Sequence, residues 1–324
     1  YESLRAYILK YKSITTLIQM EYSAFEEATV PICTFVLRNA PIHYTGNYLR
    51  LSDFKGGMDV QRQKVLEAQE TEKCAYRFSA RQDNFEKIPG APVAYWVSEK
   101  FISTFANSTI DSYAFGRQGM TTTDNIKYLR RWQEVSINNI GFNVHSREES
   151  MARKTIWFPY NKGGQYRKWF GNNEYVVFYY NDGKELINLV MKKYPRISDP
   201  EFIIKNRSCY FKEGIEWSDL TSGNFGARRV FGGFIFDACS PTIFAKGQFS
   251  YSYLLGMMNT VVFQSYMNIL SPTMHYNICN VVQVPLIKAK VGIVEEYVNE
   301  CIMYSLEDWD SYETSWDFKR NPLI

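Results

Sequence analysis

Ile14-Thr-Thr-Leu-Ile-Gln-Met20 and Val30-Pro-Ile-Cys-Thr-Phe-Val-Leu37 are two β-branched, apolar runs separated by the polar stretch 21–29. β-branched and aromatic side chains suit a pleated, half-buried surface, so both runs read as strands. Ahead of them Leu4, Ile8 and Tyr11 recur at helical spacing. Behind them a third extended run, Asn47 to Leu51, leads to Gly56-Gly57 and a short amphipathic helix from Met58 to Ala68. A helix, strands and a second helix in this order predict the edge of an α/β sheet.

The texture changes after Pro89-Gly90-Ala-Pro92, a punctuation that marks a boundary. Short strands, polar loops and Trp/Tyr-rich segments follow, which predicts an irregular α+β domain. Asn181-Asp182-Gly183 signals a turn between a strand, Glu174 to Tyr180, and a helix, Lys184 to Lys193. Gly232-Gly233 precedes a strand from Phe234 to Ala238, and Pro272 and Pro285 flank a last strand-like piece. No Asp, Glu, Lys or Arg occurs between Lys246 and Lys288. The apolar part, Tyr251 to Leu270, still carries Asn259, Gln264 and Asn268, too polar for the roughly 20 apolar residues of a bilayer span. One or two packed helices are expected there, and no membrane partner.

The 324 residues are 45% hydrophobic and 16% aromatic, which excludes a disordered chain and provides for one large or two ordinary cores. Six cysteines without a CxxC pair argue against a disulfide scaffold or a zinc site, and predict buried reduced thiols in a cytoplasmic protein. The chain opens on Tyr1, Glu2 and Arg5 without a signal segment, and reads as a piece of something longer. Its three histidines, His43, His145 and His275, have no metal-ligand spacing, and neither a GxSxG elbow nor a GxGxxG or GxxxxGK[ST] loop is present. A self-contained active site is not expected.

Charge is distributed unevenly. Eight acidic and no basic residues lie between Glu295 and Asp317; without those eight, 26 acidic residues face 37 basic ones. A basic body favours a polyanionic partner. Between Ile126 and Gly171, Lys127, Arg130, Arg131, Arg147, Arg153, Lys154, Lys162, Arg167 and Lys168 are opposed only by Glu134, Glu148 and Glu149. Trp132, Trp157, Tyr160, Tyr166 and Trp169 lie among them. Cations neutralise phosphates and planar groups stack on bases, so this interleaving suits nucleic acid. In the polar loop Phe115 to Asn125, Arg117 and Gln118 can each make bidentate contacts to base edges. Thr123 or Asp124 can cap a helix running from Ile126 to Trp132. The glycines of Tyr160-Asn-Lys-Gly-Gly-Gln-Tyr-Arg-Lys-Trp169 would let backbone approach a ligand closely, or simply make a turn.

Taken in order, the segments Tyr22 to Leu37, Leu51-Ser-Asp-Phe-Lys-Gly56, Ile88 to Val97, Arg117 to Trp132, Trp157-Phe-Pro-Tyr-Asn-Lys-Gly-Gly164, Phe211 to Ser218 and Asp308 to Phe318 resemble the second half of PglX-type adenine-specific DNA methyltransferases. Those enzymes serve phage-exclusion (BREX) systems and are related to the fused methyltransferase-specificity polypeptides of restriction-modification. The resemblance implies that residues 1–57 are the last strands of a methyltransferase sheet and 58–97 a connecting helix and linker. It implies a DNA target-recognition domain over 98–290 and an acidic helical tail over 291–324. It implies S-adenosylmethionine as the cofactor of the full enzyme, and double-stranded DNA and other defence subunits as partners. The family's Asn-Pro-Pro-aromatic motif is absent here, so this chain alone should carry no catalytic residue and bind no cofactor. Phe25 stands where related enzymes stack an aromatic on the flipped adenine. The candidate DNA contacts are Arg117, Gln118, Thr121, Thr122, Asn125, Arg130, Arg131, Tyr160, Asn161, Lys162, Arg167, Lys168 and Trp169. Two other readings stand beside this one. A carbohydrate-binding module predicts a row of exposed aromatics with little positive field, and a docking scaffold predicts dispersed basic residues.

Overall fold

The computed structural model describes residues 2–22, 24–25, 27, 30–41, 44–71 and 73–324; His43 lies outside them. The chain divides into two compact units, Tyr1–Asn107 and Ser108–Ile324.

The first unit is built on a four-stranded sheet of β1 (Ser13–Gln19), β2 (Cys33–Arg38), β3 (Thr45–Arg50) and β4 (Arg77–Arg81), in the order β2-β1-β3-β4. β1 runs parallel to β3; the β1–β2 and β3–β4 pairs are antiparallel. Helix α1 (Glu2–Tyr11) precedes the sheet, α2 (Gly57–Glu70) joins β3 to β4, and α3 (Glu99–Ser103) closes the unit. Period-2 alternation along β3 sends Tyr48 and Leu49 to opposite faces. Tyr48 joins Leu9, Ile14, Phe85 and Tyr95; Leu49 joins Leu51 and Ala68 of α2. The Pro89–Pro92 punctuation lies inside this unit, where Arg5 donates two hydrogen bonds to the Gly90 carbonyl. The strand β4 was not foreseen, because Arg77-Phe-Ser-Ala-Arg81 is short and half polar.

The second unit contains two four-stranded sheets. One is antiparallel: β10 (Ala227–Val230), β9 (Gly214–Trp217), β12 (Thr242–Ala245) and β5 (Ala114–Arg117), in that order. The other runs β11 (Ile235–Phe236), β7 (Trp157–Asn161), β8 (Tyr175–Phe178), β6 (Leu129–Arg131), with β11 and β7 parallel. Helices α4 (Asn125–Tyr128), α5 (Arg147–Ala152) and α6 (Tyr180–Lys193) flank the second sheet in sequence, while α7 (Tyr251–Met258), α8 (Val261–Leu270), α9 (Ile278–Val281) and α10 (Val291–Asp310) follow the strands. Tyr128, Phe158, Tyr160, Val177, Tyr179, Leu186, Tyr210, Phe211, Ile235 and Phe236 form the core between them. The apolar part of the uncharged stretch, Tyr251 to Leu270, is two helices, each capped by a hydroxyl, Ser250 and Thr260. Among the described residues no helix is long and apolar enough to cross a membrane.

Three expectations are corrected. The helix after Asp124 is one turn, not seven residues: Asp124 accepts the Lys127 amide at 3.0 Å, but Leu129–Arg131 then pairs with β8. Sheet pairing there overrides the helical pattern. The piece between Pro272 and Pro285 is not a strand. Val281 and Val282 donate back to the Asn277 and Ile278 carbonyls, a helical turn that uses the donors a strand would have offered. All six cysteines are free, yet Cys209 alone is buried; Cys33, Cys239 and Cys279 are exposed, at the start of β2, in a turn and on the one-turn helix α9.

Candidate nucleic-acid interface

Asn181, Asp182 and Gly183 all adopt left-handed backbone angles, and this turn starts α6. Asp182 thereby receives both Arg147 and Arg207, the latter pair with side chains 13% and 14% exposed. The carboxylate beside it, with burial opposing, pushes the Arg147 guanidinium up from its ordinary range. α6 is thus fixed, and its C-terminal Lys193 reaches the Thr123 carbonyl at 3.0 Å.

That contact defines the most open of the candidate regions, the turn from Thr121 to Arg131. Thr121, Asn125 and Arg131 are exposed, whereas Thr122 is buried with its hydroxyl on the Asn125 side-chain oxygen. Arg130 is half-buried; its guanidinium donates to the Ile126 and Leu129 carbonyls and lies 5.9 Å from the Trp157 ring centre. Lys127 pairs with Glu185 at 2.6 Å, and Tyr128 from the same turn reaches that carboxylate at 3.1 Å. The Lys127 hydrogen bond holds the Glu185 carboxyl below its usual range. Arg117, also exposed, stacks its guanidinium 5.0 Å from the Phe115 ring centre.

A second group gathers around β7 and β11. Met120 and Ala238 exchange backbone hydrogen bonds with the neighbouring segment, and Asp237 N donates to Asn161. Gly119 is needed there: a Cβ would lie 1.8 Å from the Phe236 carbonyl oxygen. Gln118 has both ends of its amide engaged, donating to Ala238 and accepting from Lys205. Tyr160 and Asn161 are buried. Tyr160 donates to Asp237 at 2.8 Å, and Lys162 pairs with the same carboxylate. Burial, with Asp237 adding to it, pushes the Tyr160 phenol well above its ordinary value. Gly163 and Gly164 close on protein: Gly164 exchanges hydrogen bonds with Ser218, and a Cβ on Gly163 would meet the Cys239 carbonyl at 3.1 Å.

The third group, Arg167 to Trp169, runs beside Arg228 of β10. Arg228 and Glu216 form a buried bidentate pair at 2.5 and 3.0 Å, with side chains 1% and 3% exposed, and Ser240 donates to the same carboxylate. Arg228 also donates to the Arg167 carbonyl at 3.2 Å. Lys168 donates to the Asn259 carbonyl, and Arg167 pairs with Asp308 of α10 at 3.0 Å over the Trp309 ring. Downstream of α10, Thr314 accepts from the Trp132 indole, Glu313 from Gln133, and Trp316 packs on Phe142 and Phe234. The acidic tail is therefore stitched onto part of the basic segment.

These groups occupy separate places. β6, which carries Arg130 and Arg131, lies at one edge of its sheet and β11 at the other, about 14 Å away over three strand spacings. Tyr166 is 52% exposed, whereas Trp132, Trp157 and Trp169 are half-buried. In the first unit Phe25 is 45% exposed, in the loop between β1 and β2. Sequence reasoning missed Lys193 and Lys205; the run Lys192-Lys193-Tyr-Pro-Arg196 was a signal for the first. No three His, Cys, Asp or Glu side chains gather to hold a metal ion among the described residues.

No family model matches the chain. It is 36% identical over 317 residues, 96% of its length, to the adenine-specific methyltransferase PglX of Lacticaseibacillus casei (strain Zhang). It is 31% identical, over all of its length, to the adenine-specific methyltransferase BrxX of Escherichia coli O9:H4 (strain HS). The chain spans about a quarter of each, 26% and 25%. A solved structure of the Type IIL restriction-modification enzyme MmeI in complex with DNA matches 96% of the chain and 40% of that enzyme with a TM-score of 0.53; at 10% identity the likeness is one of fold.

Proposed function

We propose, from the premise that this chain is homologous along its length to one quarter of the PglX-type adenine-specific methyltransferases, that its second unit holds duplex DNA for adenine methylation by a longer polypeptide. The observation that carries the reading is the turn Thr121–Arg131. It is rigidly braced, and it offers the exposed Thr121, Asn125 and Arg131 beside Lys193. Cations there would neutralise phosphates, and the side-chain types of Asn125 and Arg117 suit base edges. In this reading the target-recognition domain, expected over 98–290, begins with the second unit at Ser108, because residues up to Asn107 belong to the first. Arg167 and Lys168, already engaged by Asp308 and the Asn259 carbonyl, serve the fold in this reading and not the DNA.

The first unit is then the margin of the methyltransferase sheet. All six residues of the edge strand β2 are exposed, Phe35 and Val36 among them at 50% and 60%, and this is where further strands would pair. Phe25 is accessible to stack on an adenine extruded from the duplex. S-adenosylmethionine would supply the methyl group in the full enzyme. The Gly56-Gly57 pair offers that cofactor no free amides, since the Glu21 carboxylate accepts from both, at 3.0 and 2.5 Å.

The test is anisotropy of a fluorescein-labelled random-sequence duplex titrated with the chain at several salt concentrations. Binding whose logarithm falls linearly with log salt supports the reading. Salt-independent binding, or none, refutes it. Titration with a neutral polysaccharide addresses the carbohydrate alternative, whose row of exposed aromatics is reduced here to Tyr166 among the five interleaved rings.

A further inference from the structure

Ile126 stands 89% exposed in the one-turn helix α4, two residues from the fully buried Tyr128. Isoleucine is among the most often buried residues, although a single exposed apolar side chain is ordinary on a protein surface. What sets this one apart is its mounting. The Ile126 carbonyl is gripped by the Arg130 guanidinium at 2.5 Å, and the next amide, Lys127 N, is held by Asp124. The preceding Asn125 is tied to Thr122, and the Thr123 carbonyl to Lys193. Tyr128 anchors the turn in the core and donates to Glu185. A turn secured at each flanking residue thus presents one β-branched hydrocarbon to solvent. The flanking charges are Lys127, Arg130, Arg131 and Lys193 against Asp124, Glu134 and Glu185. Two of the carboxylates are committed within the turn, Asp124 to its cap and Glu185 to Lys127. Glu134 accepts the Arg131 amide, and the Arg131 side chain extends into solvent.

A stiff apolar tip ringed by cations matches a recurrent way of entering DNA, in which a hydrocarbon wedge partly unstacks a base step while neighbouring cations hold the backbone. We propose that Ile126 is such a wedge, inserting between adjacent base pairs of the duplex held by the second unit. This rests on the DNA-binding reading above and assigns a role to a residue outside the earlier candidates. A stiff mount is what a wedge needs, because a mobile tip would lose its ordering entropy on insertion.

Insertion unwinds DNA, so the test needs no knowledge of the recognised site. Relaxed closed-circular plasmid is incubated with the 324-residue chain and topoisomerase I, deproteinised, and resolved into topoisomers. Anisotropy on the random-sequence duplex runs in parallel. The proposal expects the unaltered chain to shift the topoisomer distribution. Ile126→Ala, whose side chain packs in no core, is expected to bind with an unchanged salt slope but at least halve the shift, and Ile126→Leu to retain it. Binding by the unaltered chain without any shift overturns the wedge and leaves the DNA reading standing, as does an Ile126→Ala shift equal to that of the unaltered chain. An unaltered chain that binds no DNA overturns both.

Discussion

The turn Thr121–Arg131 and the segment Arg167–Trp169 contain the same kinds of residue, cations next to aromatics, and the fold treats them differently. The turn faces solvent and is braced from behind, by Asp124, Arg130 and Lys193. The segment is closed from in front: Asp308 takes Arg167, the Asn259 carbonyl takes Lys168, and the Arg228–Glu216 pair grips its backbone. Composition identifies groups that could meet a phosphate, whereas partners decide which ones are free to do so. A cation that already has a carboxylate exchanges one anion for another, and its net gain from DNA is smaller.

The comparison breaks most visibly at the buried pair. Glu216→Ala strands Arg228 in a site 1% exposed, so it should destabilise the chain by about 3–5 kcal/mol, read as a fall in the chemical-denaturation midpoint. An unchanged midpoint would mean that the closed segment does not depend on that pair. Next comes Tyr160→Phe, which removes hydrogen bonds to Asp237 and the Met120 carbonyl and should cost about 1–3 kcal/mol. It also carries a pH signature. The Tyr160 phenol is raised in the folded chain by burial and then by Asp237. Its contribution is therefore fully present below the ordinary tyrosine value of about 10 and is lost as pH rises beyond it. The unaltered chain should lose stability above that pH, and the phenylalanine variant should lose less; equal alkaline limbs would contradict this.

Smaller effects separate the two regions by DNA binding. Arg131→Ala should lower the magnitude of the salt slope by about 0.9, the share of one phosphate, whereas Lys168→Ala should leave it as it was. The reverse pattern would exchange the roles of turn and segment. Smallest is Asp308→Asn. The Arg167–Asp308 pair is partly exposed, at 28% and 54%, so its loss should change stability by less than about 1 kcal/mol. It should nevertheless free Arg167 and raise duplex affinity modestly, measured by anisotropy at low salt. Unaltered affinity would show that the tail does not restrain this cation.

Much of the first unit was legible because its signals are local. Helical spacing of Leu4, Ile8 and Tyr11 gives α1, two β-branched runs give β1 and β2, the extended run Asn47 to Leu51 gives β3, and the Gly56-Gly57 break gives the start of α2. Asn181-Asp182-Gly183 was legible for the same reason, being three residues that tolerate left-handed angles. What escaped was set at long range. The pairing of Leu129–Arg131 with β8 cut short a helix that its own residues favoured. Trp316 docks on Phe142 and Phe234, and so brings the acidic tail onto the basic segment across more than half the unit. Asp237 and Lys205, which engage Lys162 and Gln118, lie far along the chain, and nothing in the candidate loops points to them. The residue types of the candidate interface were readable, but not their partners, because a partner is a property of the folded neighbourhood.

DNA is expected to meet the second unit at the open turn and not at the closed segment. Amide hydrogen exchange of the chain, with and without a saturating random-sequence duplex, tests this directly. The expected result is new protection over residues 121–131 and at the end of α6 near Lys193, with residues 167–169 unchanged. Protection confined to 167–169, with the turn exchanging as it does in the free chain, would contradict it.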